Sequence, residues 1–87
     1  MNLKESKKLQ PGAIVRESWG SAVKRTGLVI GKTHVVEDHT AKVLCQRKGQ
    51  RYDVVVHWFG GPRFSHHDPN PEVLQNWEIM VVSHVGT

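Results

Sequence analysis

The nine residues RYDVVVHWF (51–59) constrain the fold more than any other stretch of the chain. Side chains alternate across a β-strand with a period of two. Tyr52, Val54, Val56 and Trp58 therefore share one wholly apolar face, and Asp53, Val55 and His57 share the other. A strand with one apolar face needs a sheet and a second layer to cover it. The four residues of the first face are expected to point into a core.

The rest of the chain supplies short partners for that strand. AIVRES (13–18), GLVIGKT (27–33), AKVLCQR (41–47), RFS (63–65) and EIMVVS (78–83) read as strands. AKVLCQR is expected to form a hairpin with 51–59 through the turn at Gly49, and 34–40 reads as a strand end or a turn. Pro11-Gly12 and Gly60-Gly61-Pro62 punctuate the chain as turns, and 19–26 reads as a loop. Asn70, Pro71 and Glu72 have the order of cap, first helical position and acidic first turn, which predicts one helical turn before the last strand. No helical period runs longer, and there is no internal repeat. Residues 1–10 are polar and read as an arm, flexible or lightly docked, ahead of a single domain over 11–87. The fold class is all-β: a small barrel or rolled sheet of five to six strands.

The order P-G-x-x-V-R (11–16), G-x-V-I-x-K (27–32), V-x-V-x-W (54–58) and W-E-I-M-V-V (77–82) resembles small barrels of the Src-homology-3 type. It is similar in particular to KOW-type domains and to small phage-encoded or bacterial barrel proteins. Pro11, Gly12, Val15, Gly27, Val29, Val54, Val56, Trp58, Ile79 and Val81 carry the likeness, which covers residues 10–83 in outline. The resemblance implies binding rather than catalysis. KOW domains bind RNA or dock onto transcription and ribosome machinery, Tudor-like barrels cage methylated side chains, and phage barrels serve as virion joints. The segment THVVEDHTAKVLCQRKGQ (33–50) is longer than a compact KOW unit needs, which weakens transfer of the KOW role.

Charge is distributed unevenly. Residues 1–52 hold eleven Lys and Arg against four acids, a balance of +7, and residues 53–87 hold one against four, a balance of −3. Such asymmetry points to a polyanionic partner. Arg16, Lys24, Arg25, Lys32, Arg47, Lys48 and Arg51 are the candidate phosphate contacts, with Lys42 on a strand between them. Trp19, in the first long loop, is the candidate for stacking on an unpaired base. The competing reading is a solvated charged surface that keeps a small domain soluble.

HWFGGPRFSHHDPNP (57–71) concentrates aromatics, histidines and prolines. Zinc takes three or four ligands at short fixed intervals, usually with cysteines, and His57, His66, His67 and Asp68 lack that spacing. No metal and no cofactor is expected. Neither a nucleophile elbow nor a phosphate-cradling glycine loop occurs, so the chain does not read as an enzyme. Trp58 and Trp77 are read as core residues, because a domain this small needs large buried side chains. Phe59, Arg63, Phe64, His66 and His67 are instead the candidates for a protein-interaction rim.

The expected partners are nucleic acid or, alternatively, a protein or a second copy, and no membrane. The longest apolar run falls short of the ~18 residues a membrane helix needs, and MNLKESKKLQ has no apolar stretch of a secretory signal. The single cysteine, Cys45, suits a reducing cytoplasm, or a virus particle assembled in one.

Overall fold

The computed structural model describes residues 1–18, 24–37, 49–60 and 69–85. They form a short helix α1 (Leu3–Lys8) and strands β1 (Ile14–Glu17), β2 (Thr26–Glu37), β3 (Gly49–Trp58), β4 (Glu72–Gln75) and β5 (Ile79–Ser83). A 3-10 turn, Asn76–Glu78, joins the last two. The strands make one antiparallel sheet in the order β4-β3-β2-β1-β5. The chain is thus mostly β, as expected, and the sheet is open: β4 and β5 are its two edges.

Those edges nevertheless lie close together. Four strand spacings across a flat sheet amount to about 19 Å. Gln75 and Ile79, the ends of β4 and β5, are four residues apart, which fully extended chain spans in at most about 14 Å. The sheet therefore curls, and its concave face becomes the core. Val15, Val29, Tyr52, Val54, Val56, Trp58, Leu74 and Ile79 are buried there, with Leu9 and Ala13 from the N-terminal segment. The face predicted from residues 52–58 alone is the floor of that core.

The long hairpin of β2 and β3 is the backbone of the fold. It pairs from Gly27↔Trp58 to Glu37↔Gly49, with a register shift between Val29 and Gly31. Ile30 is the extra residue of this bulge, and it resets the alternation of β2. Before it Val29 sits opposite Val56 on the core face; after it Lys32 opposite Val54 and His34 opposite Tyr52 occupy the same face. β3 thus pairs with β2 along its length; AKVLCQR (41–47), expected as its hairpin partner, lies outside the described residues, as does RFS (63–65).

Two local expectations take a definite form. Residues 1–10, read as an arm, flexible or lightly docked, carry helix α1. Asn2 caps α1, its Oδ1 accepting from the Glu5 amide at 2.8 Å, and Ser6 and Leu9, three apart, are both buried. The helical turn expected before the last strand is present as the 3-10 turn Asn76–Glu78, but it does not start at Asn70-Pro71-Glu72, which lead into strand β4 instead. The Asn70 side chain, freed from capping, pairs with the Trp58 backbone instead: Oδ1 accepts from its N–H at 2.8 Å and Nδ2 donates to its carbonyl at 3.2 Å. Strand pairing of Val73 with Val55 and burial of Leu74 outweigh the local helix signal.

Gly27 allows the tightest packing in the core. A Cβ built there meets Val56 Cγ1 at 2.6 Å, the His57 carbonyl at 2.7 Å and the Trp58 ring at 2.9 Å. At Gly31, beside the bulge, a Cβ meets nothing within 4 Å. Gly27→Ala is expected to destabilise by about 1–3 kcal/mol, lowering the melting temperature by about 4–8 °C per kcal/mol. Gly31→Ala is expected to stay within about 1 kcal/mol of the parent. Thermal unfolding followed by circular dichroism checks both.

Candidate functional site

The cations predicted as phosphate contacts divide into those held inside the fold and those offered to solvent. Arg25 belongs to the first group. Its Nε donates to Glu17 Oε1 at 2.9 Å, its backbone N–H reaches the same oxygen at 2.9 Å, and Nη2 donates to Glu72 Oε2 at 2.7 Å. Its guanidinium lies 4.3 Å over the Trp58 ring, and Trp58 Nε1 donates to Glu72 Oε2 at 2.9 Å. Only 8% of Arg25 is exposed. Burial pulls its pKa down, and the hydrogen bonds and charges of Glu17 and Glu72 more than offset this and raise it. Arg25 is thus a structural cation, not a surface ligand for phosphate.

Lys32 is likewise engaged. The bulge turns it toward α1, where Nζ donates to the carbonyls of Ser6 at 2.7 Å and Lys7 at 2.9 Å, and it lies 5.1 Å from the Tyr52 ring centroid. It satisfies carbonyls at the helix end and favours that end of the dipole. Partial burial lowers its pKa by desolvation. Arg51 Nε donates to Asp53 Oδ1 at 2.9 Å, two residues along the outer face of β3.

Arg16 and Lys24 are exposed. Both lie by the β1–β2 connection: Arg16 pairs with Thr26 and Met80 on the outer face, and Lys24 Nζ donates to the Ser18 carbonyl at 3.1 Å. The structure adds Lys4, Lys7 and Lys8, exposed on α1. Treating 1–10 as an arm hid them, although Asn2 and Glu5 carry the spacing of a helix cap. Among the described residues none of Lys4, Lys7, Lys8 and Arg16 makes an ion pair. Trp19, Lys42, Arg47 and Lys48 lie outside the described residues.

Of the predicted protein-interaction rim, Phe59 is described and is 48% exposed. Arg63, Phe64, His66 and His67 lie outside the described residues. His57 is exposed on the outer face of β3. Among the described residues no three His, Cys, Asp or Glu side chains are grouped to hold a metal ion, and no helix is long and apolar enough to cross a membrane.

Trp77 reverses its predicted place. Trp58 is buried as expected, but Trp77 is 46% exposed. The 3-10 turn breaks the alternation, so Asn76 and Ile79, three apart, face inward while Trp77 faces out. Asn76 is held by its Oδ1, which accepts from the Tyr52 N–H at 3.0 Å, and its Nδ2, which donates to the Met1 carbonyl at 2.9 Å. Gln75 N–H donates to Glu78 Oε2 at 2.8 Å across the turn. The indole is thereby fixed beside the start of β3, where it lines a shallow cleft with Gly49, Gln50 and Arg51.

No known protein family, curated protein or solved structure matches the chain.

The Arg25 network makes a direct test of placement. Arg25→Leu removes the Arg25 side-chain hydrogen bond and charge from the buried Glu17 carboxylate and is expected to cost about 3–5 kcal/mol. Removing both charges in Arg25→Leu/Glu17→Leu is expected to recover a large part of that loss. Urea unfolding of the two variants and the parent measures the difference.

Proposed function

We propose that this chain is a non-enzymatic binding module, a Src-homology-3-like barrel that holds nucleic acid or nucleoprotein through its exposed cations. The observation that carries the reading is that Lys4, Lys7, Lys8 and Arg16 are exposed without ion-pair partners among the described residues. Cations left without internal partners can release counterions from a phosphate backbone, which gives affinity without sequence preference. The basic balance of residues 1–52 supports it. The barrel assignment draws support from the strand order and from the 3-10 turn that links the two edges of the curled sheet. A cytoplasmic setting, or a virus particle assembled there, fits the same reading.

A second reading, docking of a protein partner or assembly as a phage accessory component, has one observation in its favour: Phe59 is large, apolar and half-exposed next to a core strand. It predicts self-association or partner binding that Phe59→Ser removes, as sedimentation of the two proteins would show.

The leading reading is tested by fluorescence anisotropy of a labelled oligonucleotide against salt. The logarithm of affinity is expected to fall linearly with the logarithm of salt concentration, by about 0.7 for each phosphate of a single strand that is neutralised. Lys7→Glu/Lys8→Glu and Arg16→Glu/Lys24→Glu should each reduce the slope by about 1–2 and weaken binding across sequences. Arg25 is left unaltered, because its loss would test folding. Absence of binding at low salt rejects the reading.

A further inference from the structure

We infer that the cleft of Trp77, Gly49, Gln50 and Arg51 is a stacking site for one unpaired nucleobase of a single strand. The inference rests on the nucleic-acid reading above and names the part of the ligand taken here. Trp77 is the feature that requires explanation, since an exposed indole of this size has no part in the core. It is also rigidly presented. The 3-10 turn beneath it is held by Asn76 and by the Gln75–Glu78 hydrogen bond, so little order remains to be gained on binding.

The cleft's other walls suit a base better than a phosphate. Gly49 has no side chain to cover the ring. Gln50 is exposed and carries both a donor and an acceptor, the pair of groups that a base edge presents in turn. Arg51 brings a guanidinium, but Asp53 at 2.9 Å balances its charge. A near-neutral, partly aromatic pocket offers little to a phosphate and much to the face of a base, and stacking of this kind tolerates any base. Phosphate affinity then comes from Lys4, Lys7, Lys8 and Arg16, which make no ion pair among the described residues, and the net charge of +4 favours a polyanion as the ligand whose base enters the cleft.

Two probes separate the contributions: a short oligothymidylate and an abasic oligomer of the same length and charge. The parent protein is expected to bind the oligothymidylate about 5- to 150-fold more tightly, the effect of one stacked base. Tryptophan emission should be quenched as it binds. Trp77→Ala should abolish the preference while leaving abasic binding and its salt slope unchanged. Trp77→Phe should keep part of the preference, and melting temperatures report that both variants fold. If Trp77→Ala retains the full preference, the inference is overturned and the nucleic-acid reading stands. If neither oligomer binds at low salt, both are overturned. A proline-rich peptide that quenches Trp77 where oligothymidylate does not would also overturn it.

Discussion

The structure depends on one buried cation. Arg25 precedes β2, yet its guanidinium joins Glu17 on β1 to Glu72 on β4 and covers the Trp58 ring at the end of β3. Sheet hydrogen bonds link neighbours only, and β1 and β4 are separated by β2 and β3 in the sheet. The network therefore ties together strands that the ladder leaves apart, and it does so across the concave side. Burying an ion group is costly unless its hydrogen bonds are complete. Here Glu17 accepts from both the backbone and the side chain of Arg25, Glu72 accepts from Arg25 and from the Trp58 indole, and the aromatic face packs against the cation.

The bulge at Ile30 is the second constraint. A strand of twelve residues in strict alternation would keep one set of residues on the core face throughout. With one residue inserted, Val29 and Lys32 both face inward. The apolar half of the hairpin thus lies over the core, and the polar half, with Lys32 and with His34 stacked on Tyr52 at 4.7 Å, receives α1. Helix and hairpin are matched by this shift of a single residue.

These two features explain what the sequence could and could not disclose. The inward face of β3 was legible, because Tyr52, Val54, Val56 and Trp58 alternate without interruption. The turn at Pro11-Gly12 was legible as well, Gly12 adopting φ +101°. Strand pairing was not. Periodicity marks a strand but carries no information about its neighbour, so the pairing of β3 with β2 could not be read from it. Asn70-Pro71-Glu72 misled because cap, proline and acid are local signals. In the fold the Asn70 amide meets the Trp58 backbone and the Glu72 carboxylate meets Arg25, interactions that span 12 and 47 residues. Trp77 misled for a related reason: a turn of three residues changes the period from two to three, and size alone does not reveal which way an indole then points.

Folding changes what net charge means for a chain of this kind. A count of Lys and Arg treats every cation as available to a ligand. Arg25 is consumed by two carboxylates, Lys32 by the end of α1 and Arg51 at least in part by Asp53. Two of the residues that looked most suited to phosphate, Arg25 and Lys32, are therefore engaged in holding the fold, and Arg51 is ion-paired on the outer face. Lys4, Lys7 and Lys8, set aside as part of a polar arm, are placed in solvent because α1 buries Ser6 and Leu9 on its opposite side. Among the described residues, the exposed cations of the N-terminal half without an ion pair lie on the helix and at Arg16 and Lys24. A binding surface in a small domain is what remains after the fold has taken the charges it needs.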